Sequence, residues 1–133
     1  MTRREAREET FILIFEKQFN DDNLDSVFEL ATDVRDIMPN EYIKSTFFGT
    51  FENLEVIDSI ISKYAVGWSI NRISKTSLAV LRLAIYEIKF IETIPISVSI
   101  NEAVELCKKY ATKEDASFVN GILSSLAKEI QND

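Results

Sequence analysis

Leu81–Leu123 reads LRLAIYEIKFIETIPISVSINEAVELCKKYATKEDASFVNGIL. Its apolar residues recur at intervals of three and four, the spacing of one helix face. Two breaks divide the stretch. The spacing predicts a helix over about Lys75–Ile91, with Leu78, Leu81, Ala84, Ile85 and Ile88 turned inward. Thr93-Ile-Pro95 is the first break. Ser99-Ile-Asn-Glu102 has the spacing of a capping box, in which serine and glutamate satisfy each other's free backbone N–H groups. It is expected to open the next helix, with Val104, Cys107 and Tyr110 or Ala111 running inward. Thr112-Lys-Glu-Asp115 opens another, acidic in its first turn where the helix dipole favours negative charge. Phe118, Val119, Ile122, Leu126 and Ile130 form its inner face.

The same periodicity extends toward the N-terminus. Thr2-Arg-Arg-Glu5 is a second capping box, followed by Ala6, Phe11, Ile14 and Phe15 at helical spacing. Asn20-Asp-Asp-Asn23 breaks this helix. Another is expected over Leu24–Met38 on Val27, Ala31, Val34 and Met38, stopped by Pro39, which disfavours helical dihedrals in the residue before it. Asn40 can cap a long helix whose stripe runs through Phe47, Phe48, Phe51, Leu54, Ile57, Ile61 and Tyr64, roughly six turns. Gly67 is placed to end it in a left-handed turn. Trp68–Ile73 reads as a short helical turn capped by Ser69. The fold class is all-α, with six to seven helices and no domain boundary over residues 1–133. The Gly67 turn is where two helical subdomains sharing a core would divide.

Composition limits the function. The chain has 133 residues, 46% of them apolar, with three Gly and two Pro. That balance suits a globular chain built from long helices. There is no histidine and a single cysteine. The usual general base, the Ser-His and Cys-His nucleophiles and the commonest metal ligand are therefore missing. Three scattered glycines make no phosphate-binding loop. No catalytic residue, metal or cofactor is expected. No apolar run approaches the ~20 residues of a membrane helix. With the charged N-terminus and the lone Cys107, this points to the cytoplasm. The formal charge of −7 excludes nucleic-acid binding by bulk charge and leaves a local basic patch as the route.

Arg3, Arg4 and Arg7 are the candidate for such a patch. On a helix Arg3 and Arg7 stand one turn apart with Arg4 beside them, at an end where cations oppose the dipole. The plain alternative is a solvated first turn partly neutralised by Glu5, Glu8 and Glu9. Cys107 reads as a buried packing residue and Trp68 as a core plug. Asp21-Asp22 and Glu114-Asp115 read as solvated helix ends.

Several segments together resemble the NusB family of bacterial transcription antitermination factors. They are Arg3-Arg-Glu-Ala-Arg-Glu8, Trp68-Ser-Ile-Asn-Arg72, Leu81-Arg-Leu-Ala-Ile-Tyr-Glu87, Ile100-Asn-Glu-Ala-Val104 and Phe118-Val-Asn-Gly-Ile-Leu123. The resemblance implies two small packed helical bundles and no enzymatic activity. It implies binding of boxA RNA from ribosomal leaders together with the ribosomal small-subunit protein NusE, within an RNA polymerase antitermination complex. By position it assigns Arg3, Arg4, Arg7, Phe15 and Phe118 to RNA, and Asn71, Arg72 and Ser77 to the protein partner. For Phe15 and Phe118 the alternative is core packing. Gly121 reads as a close-packing position. Asn101, Glu102, Arg82 and Glu87 read as residues that cap or bridge helices. Glu5, Ser77 and Ser117 depart from the family pattern: Glu5 and Ser117 stand where basic residues occur, and Ser77 where an acidic one does. Two other readings stay open: a protein-interaction module with little RNA binding, and a NusB-like domain from an rRNA methyltransferase.

Overall fold

The computed structural model describes residues 1–36 and 40–131. Among them the elements are α1 (Arg3–Lys17), α2 (Leu24–Val34), α3 (Glu41–Glu52), α4 (Leu54–Tyr64), a single 3₁₀ turn at Ile70–Arg72, α5 (Lys75–Phe90), α6 (Ile96–Tyr110) and α7 (Lys113–Gln131). α1–α3 form one bundle and α4–α7 the other. α5 packs against α1, α3, α4, α6 and α7. Every residue of it from Ser77 to Ile85 is buried. A helix buried all round belongs at the centre of a fold, and the apolar core runs without interruption from Ala6 to Leu126.

The capping reading holds at three helix starts. Thr2 Oγ1 accepts the Glu5 N–H at 3.1 Å, and Glu5 accepts the Thr2 N–H at 2.9 Å. Asn40 Oδ1 accepts from the Ile43 N–H at 2.8 Å. Thr112 and Asp115 cap each other at the start of α7. Cys107 is buried, as its position on the inner face required.

Elsewhere the structure departs from the expected boundaries. The long third helix is two, because Asn53 leaves helical geometry at φ −111° and ψ 21°. Its side-chain amide donates to the Gly49 carbonyl at 2.8 Å, a local bond of the kind that lets asparagine compete with the helix ladder. α3 passes α5 closely at Gly49, where a Cβ would overlap the ring of Tyr86. α2 stops at Val34, and Asp36 turns to φ 51°, a left-handed conformation that aspartate tolerates. The expected role of Met38 and Pro39 lies outside the described residues. Val34, read as inward, is exposed.

α6 begins at Ile96, not at Ser99. Pro95 has the fixed φ that suits a helix start and lacks the N–H that would go unused there. Ser99 and Glu102 therefore lie inside the helix and bond to other elements. Ser69 makes no side-chain cap. Gly67 does adopt φ 84°, three residues beyond the end of α4. Gly121 is exposed, and a Cβ there would meet no neighbouring element within 4 Å, so it does not serve close packing.

Arg82 joins the two bundles. Its Nε and Nη2 donate to both oxygens of Asp58 in α4 at 3.0 and 2.9 Å, and its Nη1 donates to Gln18 at the end of α1 at 3.0 Å. A two-pronged guanidinium–carboxylate pair fixes orientation as well as distance.

Candidate functional site

The N-terminal arginines go to three different places. Arg3 is exposed, and its guanidinium lies over the Tyr42 ring of α3 at 4.4 Å. Arg4 reaches α6, where its Nη2 pairs with Glu102 at 2.9 Å while 72% of its side chain stays accessible. Arg7 turns inward. It is 5% exposed, and its Nε donates to Glu87 of α5 at 2.7 Å. Arg3 and Arg7 do share a face, as their spacing required, and both lie against Tyr42. But only Arg3 and Arg4 reach solvent. The assignment of Arg7 to a surface that touches RNA does not fit its burial.

Glu87 explains the burial. It is 1% exposed and accepts three donors from three other helices. Arg7 comes from α1, the Tyr42 hydroxyl from α3, and Ser99 Oγ from α6 at 2.8 Å. Burial works against the charge on Arg7, but the hydrogen bond and field of Glu87 outweigh it, and the pKa of Arg7 stands above its ordinary value. For Tyr42 burial, then the neighbouring carboxylate, pushes the phenol pKa up, so it remains a donor.

Phe15 is half-buried between Phe11 and Phe19, with ring centroids 6.2 and 4.9 Å away. Both sequence readings of it therefore have a physical counterpart. On the other side of Phe11 stands the ring of Tyr110, 5.1 Å away. The result is an aromatic row along α1 that continues onto the end of α6. Of Tyr110 and Ala111, either of which was expected inward, Tyr110 is 40% exposed and Ala111 is half-buried. The Tyr110 hydroxyl and Lys109 Nζ both donate to Glu8. Those two bonds, Lys109 first, pull the carboxyl pKa of Glu8 below its usual value. Lys109 and Tyr110 were missed from the sequence because they join the α1 surface from about a hundred residues away. The only local signal was the pair of lysines before an aromatic at a helix end.

A second patch surrounds Trp68. This residue is 51% exposed, so it is not a core plug. Its ring meets Phe118 edge-on at 5.9 Å, with the Arg72 guanidinium 6.0 Å above it. With Ser77, Glu114 and Asp115 they line a cavity of about 310 Å³. Asn71 and Arg72 are exposed on the 3₁₀ turn, as a partner face needs. Ser77 is fully buried, and its hydroxyl donates to Asp115 at 3.1 Å. It is a support at the cavity floor rather than an open contact, and Asp115 brings a carboxylate to this place.

Phe118 thus belongs with the residues assigned to the partner, apart from Arg3, Arg4 and Phe15. An open groove of about 780 Å³ runs along α6 and α7. It shares Glu105 with the hollow beneath Arg4, and it includes Ser117, next to Phe118. Lys108 and Lys113 line it. Among the described residues no cluster of histidine, cysteine and carboxylates is placed to hold a metal ion. No helix there is long and apolar enough to cross a membrane.

The NusB family model matches residues 4–128. Transcription antitermination protein NusB of Natranaerobius thermophilus is 44% identical, over 98% of this chain and 97% of that protein. The protein of the same name from Ruminiclostridium cellulolyticum is 43% identical, over 96% of this chain and 90% of its own length. Among solved structures, T. maritima NusB superposes with a TM-score of 0.85 at 40% identity, covering 97% of this chain and 92% of that one. A chain from the crystal structure of antitermination factors NusB and NusE in complex with double-stranded RNA gives 0.86 at 29% identity, with 96% of each chain covered.

Proposed function

Because the chain belongs to the NusB family, we propose that it is a transcription antitermination factor that binds boxA-type ribosomal leader RNA jointly with the ribosomal protein NusE. The observation that carries this reading is the near full-length likeness to the NusB of a NusB–NusE–RNA assembly. On this reading Arg3 and Arg4 meet phosphates, and Phe15 offers a surface for a base. Recognition of single-stranded RNA uses such a pairing of cations with aromatic faces. The Trp68–Phe118 cavity with Asn71 and Arg72 takes the protein partner. An acidic surface of net charge −7 complements a basic ribosomal protein and speeds their encounter. The chain acts as a single domain over residues 1–133, in the cytoplasm, within an RNA polymerase complex. It acts by binding, without catalysing a reaction and without a cofactor.

The test is a titration of boxA RNA with and without the ribosomal partner. The partner should tighten RNA binding by about 5- to 150-fold, the range of ordinary coupling between two sites. The one tryptophan should report the partner by itself, with emission shifting to the blue as Trp68 loses water. Equal RNA affinity in both arms overturns joint binding. The pairing of Arg4 with Glu102 and of Lys109 with Glu8 favours a second reading, a protein-interaction module with little RNA binding. Partner binding with no RNA binding in either arm would establish it.

A further inference from the structure

We infer that Tyr42 is a positioning residue for Arg3: its buried ring holds the Arg3 guanidinium in place for an RNA phosphate, and Arg7 serves that surface only from beneath, through Glu87. This inference rests on the RNA-binding reading of α1.

The three arginines differ in what their donors are doing. Arg4 gives its Nε and Nη2 to Glu102, and Arg7 gives its Nε to Glu87. Arg3 has no ion pair among the described residues. Its contact is the face of Tyr42. A cation over an aromatic face is held by the ring's quadrupole. That contact consumes none of the five N–H groups, which lie in the guanidinium plane and match a phosphate in pairs. Arg3 is therefore restrained and still unsatisfied, and a side chain ordered in advance loses less entropy on binding.

The platform is itself rigid. Tyr42 is 7% exposed, and its hydroxyl donates to Glu87. Glu87 also holds Arg7, one turn along α1 from Arg3 on the same face, 5.9 Å from the centre of the same ring. Ser99 closes the network from α6. The position of the first turn of α1 over α3 is thus set by a carboxylate on α5. Arg7 adds to the RNA surface without reaching it.

The experiment is a double-mutant cycle on RNA affinity, measured with the ribosomal partner present and with folding followed by circular dichroism. Arg3→Ala and Tyr42→Leu should each weaken binding on the order of fivefold, and the double variant should be no weaker than Arg3→Ala alone. Tyr42→Phe keeps the ring and should keep RNA affinity while losing stability. Arg3→Lys keeps the charge and the fold but loses the flat stacking group. It should weaken binding with the salt slope unchanged, and it tests the inference even if Tyr42→Leu does not fold. Arg3→Ala should lower the slope of log affinity against log salt by about 0.7, one phosphate on a single strand. Arg7→Met with Glu87→Gln removes both buried charges together and should leave the slope as it is. Multiplying losses in the cycle, or wild-type affinity in Arg3→Lys, overturn the role of Tyr42. A slope reduced in the Arg7 variant places Arg7 on a phosphate and overturns its supporting role. If Arg3→Ala binds RNA as the wild type does, the RNA reading of Arg3 fails and the inference with it.

Discussion

Glu87→Ala should lower the free energy of unfolding by about 3–5 kcal/mol, the usual cost of removing one partner from a buried ion pair. The loss has three parts. Arg7 stays 5% exposed with its charge uncompensated. The hydroxyls of Tyr42 and Ser99 lose their acceptor, and a buried donor left unpaired costs about 1–3 kcal/mol. These parts do not add, because the cavity left by the side chain admits some relaxation or water. Against a total stability of about 5–15 kcal/mol for a domain, the variant should unfold at a much lower urea concentration. Glu87→Gln keeps an acceptor and should lose less. Glu129→Ala breaks the pair with Lys63 at 2.7 Å, yet both side chains are about half exposed, and an ion pair in water contributes little. Its midpoint should hardly move. A loss below about 1 kcal/mol for Glu87→Ala would mean that the network does not carry a buried charge.

Cys107 should be almost inert to thiol reagents while the protein is folded. The side chain is fully buried, and burial, with a smaller push from Asp115, raises the thiol pKa from 9.0 to about 12. The sign follows from the reactive form: the thiolate is charged, and a low-dielectric surrounding disfavours it. Three units of pKa reduce the thiolate at neutral pH by about a thousandfold. Exclusion of the reagent slows the reaction further. Labelling of the native protein at pH 7.5 should therefore follow the rate at which α6 opens from its neighbours, and should become fast in urea. Native labelling as quick as that of a small free thiol would show that the inner face of α6 is open.

These two residues also mark what the sequence could and could not convey. Cys107 was legible because helical periodicity alone puts it on the inner face of α6. The same periodicity located nearly every helix, since burial follows one stripe in the helices around α5, while α5 itself is buried all round from Ser77 to Ile85. It did not reveal the break at Asn53, which depends on one side chain bonding to Gly49 rather than on any gap in the apolar pattern. Ser99 and Glu102 had the spacing of a cap, but spacing carries no information about which turn they occupy. Pro95, four residues before Ser99, had already started the helix.

The candidate surfaces were half legible. Arg3 and Arg4 were found as neighbours in the chain, and both are exposed. Arg7 looked equivalent to them, because the residue that buries it is Glu87, eighty positions away in sequence. Ser77 failed for a related reason: its partner, Asp115, comes from a different helix. Trp68 sits beside a glycine turn, and composition near a turn does not tell an inward ring from an outward one. Lys109 and Tyr110 join the α1 surface only through side chains that reach across from the end of α6.

The central position of α5 has a consequence for how the chain comes apart. A helix with no wetted side from Ser77 to Ile85 is a wall shared by two rooms. Neither bundle can melt alone without baring apolar surface on the other, so the loss of one removes much of the reason for the second to persist. Arg82 reinforces this, since it ties α5 to α4 and to the end of α1 at once. The surface patches are thereby set into one cooperative frame, and a partner that steadies the Trp68 end also steadies the first turn of α1.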